Sequence, residues 1–576
     1  MNFKELLKFM ILIHGNHLVR ILFIFLLLLA IANEIAIYNI GLITGDYYKI
    51  MNNKDRNGFF KQTMKSIGLI IGIALLKALK EYVGSYLYIE WRRHLTTNLH
   101  QKYLQNMLYY HANVINSNAN DNVDQRITQD IDKMTNNLSY IVPEVIVSPF
   151  IIIFYGYKCY DLNGFVGPIG CLVFFLISTL INRFLILNVS KWVYKQEQCE
   201  GDFRAQHFHI RHKAEAIAFL NGDNIELTKS NSLLTTLINV QRRFITHQLI
   251  LKVFVYLCDY FGSIMSFIAL SVPLFAGAYD NLTPADLSQL ISQNVFFTMY
   301  LINCFTRLID LANYFSIFFG TANRIVDLYR WFGHHNESQL TIVSNDDAPN
   351  DKSSQIYMDC TDLCVNVPQS KPIKMIIQNL TLQLRKGQNL LITGPSGIGK
   401  SSLLRTWKQI WSNCGGHIDR KISLNDTTKV MFLPQKPLLT VGSIVEQITY
   451  PFDSEKSIDI PAIIEILQFL ELDKSILERV NNDIVSDQRI NWIDHLSVGE
   501  VQRLILARVL YHRPILLFMD ESTSALPLEM EEKILRRFQQ MQITMISCGH
   551  RDSLKAFHHI ELNIESFDRF VLNKLN

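Results

Sequence analysis

Charged residues are scarce in this chain, and no stretch of it forms a block of lysine and arginine. Charged residues make up 19% of the 576 residues, whereas hydrophobic residues make up 49%. The formal net charge of +3 is too small to indicate nucleic acid as a partner. A chain of this length contains more than one domain, and the shortage of charge indicates that part of it lies in a membrane.

The sequence also lacks paired cysteines. Nine cysteines are scattered along the chain, and none of them forms a C-x-x-C motif. Cys360 and Cys364 have no second pair of ligands beside them, so a zinc site is not indicated. We therefore expect reduced thiols and no metal bound by cysteine.

Long apolar runs fill the N-terminal part of the chain and have the length that crosses a bilayer. The first run, from Val19 to Ile43, is followed by no small-residue cleavage site, so we interpret it as a retained membrane helix. The predicted transmembrane domain covers residues 1–335, with six helices at about 19–43, 67–89, 138–157, 165–187, 249–275 and 291–319. Membrane lipid is thus the first expected partner.

Several charged residues interrupt these runs, where a charge facing lipid would be costly. They are Glu34, Lys77, Lys80, Glu81, Asp259, Arg307 and Asp310. The three charges of the second run are expected on a part of the helix that extends into the cytosol. Arg307 lies three residues before Asp310, close enough on a helix to pair with it. Asp259, in the middle of its run, is the candidate for a residue of a solute pathway.

A polar linker rich in Asn, Asp and Ser is predicted at residues 336–355, followed by an α/β domain at residues 356–576. In this domain an apolar run leads into GPSGIGKSS and then into a helical pattern. This is a P-loop, in which backbone N–H groups and a helix N-terminus surround nucleotide phosphates. The residues predicted to bind ATP here are Gly394, Pro395, Ser396, Gly397, Ile398, Gly399, Lys400, Ser401 and Ser402. Lys400 reaches towards the γ-phosphate and is also a catalytic candidate.

Polar residues follow three further apolar strands behind the P-loop. Gln435 follows KVMFLP, Asp520 and Glu521 follow ILLFM, and His550 follows TMISCG. Glu521 is predicted to accept a proton from the attacking water, and His550 to contact the γ-phosphate. Mg²⁺ is predicted at Ser401, Gln435 and Asp520, and Gln435 is also expected to orient the attacking water.

A second phosphate-binding helix start lies in LSVGEVQRLILARVL, where Ser497, Gly499 and Glu500 are predicted to contact ATP. A single domain that binds one ATP does not need two such motifs. In two copies that face each other head to tail, the P-loop of one copy and this motif of the other can hold the same ATP. The stretch resembles the signature sequence of ATP-binding cassette (ABC) transporters. The resemblance implies an exporter-type architecture, an all-α domain of six transmembrane helices followed by an α/β nucleotide-binding domain. It also implies a half-transporter that pairs with a second copy of itself or with a related half-transporter.

The resemblance covers nearly the whole chain. IEWRRHLT at Ile89, DQRITQDID at Asp124 and EGDFRAQHFHIR at Glu200 are similar to subfamily D, which includes peroxisomal fatty-acyl-CoA carriers and a lysosomal branch. GDYYKIMNNKD near Gly45, GAYDNLTPADLSQLISQN at Gly277, CFTRLIDL at Cys304 and LPQKP at Leu433 resemble the lysosomal branch. That branch implies ATP and Mg²⁺ as cofactors and cobalamin (vitamin B12) as a solute moved from the lysosomal lumen to the cytosol.

The lysosomal branch also implies a multi-pass protein of the lysosomal membrane and of the endoplasmic reticulum, with a membrane chaperone for delivery. Two alternatives stay open. The protein could instead carry acyl-CoA across the peroxisomal membrane, or it could be an ATP-gated membrane scaffold that does not pump. ATP turnover without solute flux would favour the scaffold.

A few positions depart from the family pattern. Val498 stands where glycine is usual, and Glu500 replaces an amide. The loop that the family calls the D-loop reads SALP here, from Ser524 to Pro527. Pro527 stands where aspartate is usual, which puts communication between the two ATP sites in question. No aromatic residue lies near Val367 to stack on adenine, so the base is expected to be held weakly or by another group.

Overall fold

The computed structural model describes residues 17–115, 122–343, 356–368, 374–412, 414–424, 426, 428–451, 458–473, 476–477, 480 and 490–575. The side chains of residues 259, 263, 309, 310, 312, 313, 316 and 334–343 lie outside this description. The pathway candidate Asp259 and the predicted pairing of Arg307 with Asp310 therefore involve side chains outside the described residues. The chain divides into two compact units, Met1–Lys102 with Asn122–Trp331, and Tyr103–Asp121 with Phe332–Asn576.

Six long helices coincide with the six predicted membrane helices. They are α1 (His17–Asn52), α2 (Arg56–Leu104), α3 (Ile131–Asn163), α4 (Val166–His212), α5 (Asp223–Phe275) and α6 (Pro284–Val343). Shorter helical segments lie at Gln105–Met107, Leu108–Tyr110, His111–Ile115, Val123–Gln125, Arg126–Asp130 and Ala214–Phe219. α6 runs through residues 336–343, which the sequence assigned to the linker, whereas residues 344–355 lie outside the described part of the chain.

Within the described residues, four helices are long and apolar enough to cross a membrane. They are His17–Asn52, Val123–Asn163, Val166–His212 and Asp223–Phe275. The second predicted span is interrupted by Lys77, Lys80 and Glu81 on α2. Length and composition thus support four of the six predicted spans, while α2 and α6 are long helices that carry charge.

Two of these charged side chains form ion pairs with other helices. The Lys80 ammonium lies 2.8 Å from a carboxylate oxygen of Glu144 on α3, and 21% of the Lys80 side chain is exposed. Lys80 is therefore held in an ion pair between two helices rather than surrounded by solvent, and its place relative to the membrane stays a prediction. Arg307 on α6 contacts Glu34 on α1 at 3.4 Å and Glu144 at 4.0 Å. Charges on four helices thus meet inside the first unit.

The second unit contains a six-stranded sheet in the order β11-β10-β3-β9-β8-β5. Its strands are β3 (Leu390–Thr393), β5 (Val430–Leu433), β8 (Leu516–Asp520), β9 (Thr544–Cys548), β10 (Ile560–Ile564) and β11 (Phe570–Lys574). All neighbouring pairs are parallel except β10 with β11. β8 and β9 are buried along their whole length, as expected for apolar runs inside a parallel sheet. The predicted α/β domain is thus confirmed.

Smaller elements complete this unit. An antiparallel sheet in the order β2-β1-β4 contains β1 (Ile356–Asn366), β2 (Met375–Arg385) and β4 (Gly415–Arg420), and β6 (Val441–Gly442) pairs with β7 (Ile490–Asn491). The helices are α7 (Lys400–Trp407), α8 (Ile444–Thr449), α9 (Ile460–Phe469), α10 (Val498–His512) and α11 (Leu528–Gln540). Short helical turns lie at Trp492–Asp494 and Asp552–Phe557.

The segment Tyr103–Asp121 belongs to the second unit, although it connects two helices of the first. The Trp411 indole N–H donates a hydrogen bond of 3.0 Å to the Tyr110 hydroxyl. The sequence had assigned all residues before 336 to the membrane domain. No local pattern indicates this contact, because the partner of Tyr110 lies about 300 positions away along the chain.

His558 is a buried histidine in this unit, and its burial lowers its pKa to about 4. Its Nδ1 bonds to the Leu554 carbonyl, and its Nε2 lies 2.8 Å from the Ser547 hydroxyl, which suits an uncharged ring. Unfolding restores a pKa near ~6.5, so between these two pKa values the unfolded chain binds more protons. Stability is therefore lost as the pH falls through this window.

We expect acidification from pH ~6.5 to ~5 to cost about 2 kcal/mol through His558 alone. For a unit of this size that lowers the thermal unfolding midpoint of the full-length protein by about 4–8 °C. The His558→Gln variant should show a weaker pH dependence, and the exposed His417→Gln variant should behave like the parent. Equal pH dependence in all three proteins would contradict this assignment.

Candidate nucleotide site

The P-loop follows β3 and ends at the start of α7, and its glycines are required by its backbone. Gly394 has φ +136°, and a Cβ atom there would lie 2.4 Å from the Ile564 carbonyl oxygen. Gly399 has φ +119°, and a Cβ atom there would lie 2.1 Å from a methyl group of Ile376. Other residues are excluded at both positions by strain and by collision. The loop is therefore held in a shape that only glycine permits.

Lys400 is buried and folds back across this loop. Its ammonium group donates hydrogen bonds to the carbonyl oxygens of Gly394 at 2.9 Å and Pro395 at 3.2 Å. It also lies 2.8 Å from Nε2 of His550, which accepts the bond when that nitrogen carries no proton. Burial lowers the Lys400 pKa, and this is opposed by the nearby carboxylates of Glu521 and Asp520.

Three of the predicted catalytic side chains surround Glu521. The Gln435 amide donates a hydrogen bond of 2.9 Å to one carboxylate oxygen of Glu521. The other oxygen lies 3.5 Å from Nε2 of His550, which in turn contacts Lys400. These four side chains meet because β3, β9, β8 and β5 are adjacent, so their carboxyl ends lie at one edge of the sheet.

Asp520 occupies the neighbouring position, at the end of β8, and is buried. Burial raises its pKa, and a hydrogen bond with Ser401 partly offsets this. A hydroxyl and a carboxylate side by side are hard oxygen ligands of the kind that Mg²⁺ prefers. A cation beside Asp520 would favour its ionised form, so these two residues suit the metal position that the sequence predicted.

Ser497 and Glu500 form a different local structure at the start of α10. The Ser497 side chain accepts a hydrogen bond from the Glu500 N–H, while Glu500 accepts from the N–H of Ser497 at 2.9 Å and from its hydroxyl at 2.7 Å. These bonds lower the Glu500 pKa, so the carboxylate is charged at neutral pH. A Cβ atom on Gly499 would lie 3.6 Å from the Ala525 carbonyl oxygen, an ordinary contact, so the space around this glycine would also admit a small side chain.

The start of α10 is exposed to solvent and is not hydrogen-bonded to the P-loop among the described residues. Val498 has 67% of its surface exposed. Among the described residues, no hydrogen bond connects Ser497, Gly499 or Glu500 with the residues of the P-loop. Their contact with ATP stays a prediction that requires a second copy.

Three residues that the sequence analysis did not identify hold the D-loop. Gln502 on α10 accepts a hydrogen bond from the Ala525 N–H at 2.9 Å. Arg551, directly after His550, donates to the carbonyl oxygens of Ser524 and Leu526. The fully buried Glu531 lies 3.4 Å from Arg551 and accepts further hydrogen bonds from the hydroxyls of two neighbours, Thr523 and Ser553. The loop that contains Pro527 is thus tied to the strand end that carries His550.

Replacing Arg551 with methionine should release this loop and leave the buried Glu531 carboxylate without its cation. We expect Arg551→Met to lower the free energy of unfolding by about 1–3 kcal/mol and to slow ATP turnover. Arg536→Met is the matched control, because Arg536 pairs with Glu532 on the exposed face of α11. The control should change stability by less than about 0.5 kcal/mol. A loss of the same size in both variants would contradict the role of Arg551.

Two family models match the chain. The model described as ABC transporter transmembrane region 2 matches residues 6–275, and the model described as ABC transporter matches residues 377–524. The second match contains the P-loop, the signature motif and the strand end that carries Glu521. These matches agree with the order of the two domains.

Several curated proteins are similar over most of the chain. The lysosomal cobalamin transporter ABCD4 of Homo sapiens is 36% identical, covering 96% of this chain and 93% of the relative. The protein of the same name from Mus musculus is 34% identical over the same shares. ATP-binding cassette sub-family D member 3 of Rattus norvegicus is 27% identical, covering 87% of this chain and 78% of the relative.

A solved structure has the same fold. A bacterial Atm1-family ABC exporter with ATP bound matches with a TM-score of 0.72 at 16% identity, covering 97% of this chain and 96% of that one. The predicted fold, a helical transmembrane domain followed by an α/β nucleotide-binding domain, is therefore confirmed.

Proposed function

This chain belongs to subfamily D of the ATP-binding cassette transporters, and from that membership we propose that it moves cobalamin from the lysosomal lumen to the cytosol. ATP hydrolysis coupled to transport is the activity of its family. The observation that carries the choice of solute is the 36% identity, over 96% of the chain, to a lysosomal cobalamin transporter. The lysosomal membrane is accordingly the proposed location, with a membrane chaperone as a candidate partner for delivery.

In the proposed mechanism, two copies of the chain bind two ATP molecules between them. The P-loop of one copy and Ser497 and Gly499 of the other hold each nucleotide, and binding draws the two nucleotide-binding domains together. Ser401, Gln435 and Asp520 would hold Mg²⁺, which supplies positive charge at the phosphates. Conversion between two access states then exposes the solute to opposite sides of the membrane.

Hydrolysis depends on the side chains gathered at the sheet edge. A carboxylate oxygen of Glu521 accepts the proton of the attacking water, and the Gln435 amide fixes the orientation of that carboxylate. Lys400 and His550 already contact each other, so both can turn towards a γ-phosphate that enters between them. Release of the cleaved phosphate then reopens the dimer.

Solute-dependent ATP turnover tests the choice of solute. We expect cyanocobalamin to stimulate ATP hydrolysis by the purified protein in lipid nanodiscs, because a transported solute must favour one state of the cycle over another. Palmitoyl-CoA, the solute of the alternative proposal, should have no such effect. Stimulation by palmitoyl-CoA alone would favour that alternative, and stimulation by neither would favour a scaffold without transport.

A further inference from the structure

Basic and aromatic side chains gather where α4 and α5 leave their apolar runs. The predicted span of α4 ends near position 187, and that of α5 begins near position 249. Trp192 follows the first limit and Arg243 precedes the second, each by about 7–9 Å along its helix. The headgroup layer on each side of a bilayer has a comparable thickness. The predicted spans therefore place both residues at headgroup depth, on the cytosolic side.

Trp192 is the centre of this group of side chains. The His247 ring stacks on the Trp192 indole with a centroid distance of 5.9 Å and an interplanar angle of 14°. The Arg243 guanidinium lies 5.3 Å from the centre of the indole, and the Lys195 ammonium lies 5.8 Å from it. Cations this close to an aromatic face are attracted to it. The indole thus brings together two cations from two helices, and we call these four residues the Trp192 cluster.

The charge around the Trp192 cluster has one sign. Neither residues 162–196 nor residues 227–258 contain aspartate or glutamate. Within the part of the chain that the structure describes, Lys195 and Arg243 make no ion pair, and the Trp192 indole N–H donates no hydrogen bond. Further exposed cations lie on the same two stretches at Lys191, Arg242 and Lys252. The cluster therefore offers several donors to an anion.

We propose that the Trp192 cluster binds an acidic lipid of the cytosolic leaflet and recognises a phosphate monoester on its headgroup. Arg243 can donate two parallel N–H bonds to phosphate oxygens, while Lys195 supplies a point charge and the Trp192 indole a further donor. A phosphate monoester carries about −1.5 to −2 charges at neutral pH, so it engages both cations. This inference concerns the surrounding lipid and does not depend on which solute the protein moves.

The surface beside the cluster favours a lipid over a soluble phosphate. On the membrane side of the cluster, the same two helices expose large apolar side chains, namely Phe184, Leu187, Leu249 and Val253. The acyl chains of a lipid cover such side chains while its headgroup contacts the cations. Burial of this apolar area adds to the affinity, and a soluble phosphate lacks that gain.

Equilibrium binding of fluorescent dioctanoyl phosphatidylinositol bisphosphate to the full-length protein in uncharged detergent micelles tests the assignment. Lys195→Gln and Arg243→Gln should each weaken binding by about 5-fold, and the double variant by about 30-fold. Lys229→Gln is the matched control and should bind like the parent. Lys229 lies on α5 about 21 Å from Arg243 along the helix, and it pairs with Glu226.

Unlabelled competitors identify the chemistry that is recognised. Dioctanoyl phosphatidylserine, which has no phosphate monoester, should compete at least about 10-fold less well than the unlabelled bisphosphate lipid. Soluble inositol trisphosphate should also compete at least about 10-fold less well, because it has no acyl chains. Equal competition by phosphatidylserine would overturn the monoester assignment, and equal competition by inositol trisphosphate would overturn the lipid assignment in favour of a soluble phosphate.

Thermal unfolding midpoints close to that of the parent establish that each variant is folded, and size-exclusion chromatography reports its oligomeric state. Parent-like lipid binding by the folded double variant would overturn the site. A dimeric parent with a monomeric double variant would identify the cluster as a contact between two copies, and this result would also overturn the lipid site.

Discussion

Replacing Glu521 with glutamine is expected to slow ATP turnover by at least about 100-fold while ATP still binds. Glutamine has the size of glutamate but cannot accept the proton of the attacking water. The site should stay assembled, because Gln435 and His550 contact the side chain from two sides and the backbone N–H of residue 521 donates to the Cys548 carbonyl. ATP binding therefore persists without the chemical step.

The measurement is the steady-state rate of phosphate release, together with equilibrium binding of ATP. Glu529→Gln is the matched control, because Glu529 is an exposed glutamate in the first turn of α11. The control should retain the parent rate. Parent-like turnover by Glu521→Gln would remove this residue as the general base.

Mixed dimers should recover activity that each variant alone lacks. Lys400→Ala removes the ammonium that crosses the P-loop, and Ser497→Arg places a bulky cation at the exposed start of α10. If ATP lies between the P-loop of one copy and α10 of the other, each homodimer has two defective sites. A dimer with one copy of each variant has one intact site and one site with both defects.

We expect each homodimer to hydrolyse ATP at least about 100-fold more slowly than the parent. Equal co-expression, which makes half of all dimers mixed, should restore roughly a quarter of the parent rate if the sites act independently. Co-expression of Lys400→Ala with the tagged form of the same variant is the control and should restore nothing. No recovery in the mixed dimers would mean that the P-loop and the start of α10 of the same copy bind one ATP, or that one damaged site stops hydrolysis at the other.

The nucleotide site was largely predictable from the sequence because its parts follow local patterns. Asp520 and Glu521 stand together at the end of one short apolar run, and His550 follows another run by one glycine. Such runs form buried parallel strands. Once the strands are parallel, residues at their carboxyl ends meet at one edge. The contact between Gln435 and Glu521 follows from this rule, since β5 and β8 are neighbours.

The residues that hold the D-loop were not predictable in the same way. Glu531 lies in the charged stretch LEMEEKILRR, which has the composition of an exposed helix, yet the structure leaves it fully buried. Ile534, Leu535 and Phe538 follow Glu531 by three, four and seven positions, a spacing that places Glu531 on the buried face of α11. No local pattern shows that Arg551 is the cation it meets there.

The membrane domain shows a similar limit. The apolar runs predicted the helices, but not which helices lie next to each other. Arg307 contacts Glu34, which lies 273 positions earlier in the chain, and no local pattern indicates that contact. The helical period of a sequence shows which face of a helix is buried, whereas tertiary packing decides which residues that face contacts.

Flux of cyanocobalamin across the membrane of liposomes that contain the purified protein tests the central claim most directly. With ATP and Mg²⁺ present on the side of the nucleotide-binding domains, we expect cyanocobalamin to move towards that side, while palmitoyl-CoA does not move. The Glu521→Gln substitution should abolish this flux. Cyanocobalamin flux that persists without ATP or in that variant, or flux of palmitoyl-CoA alone, would contradict the account.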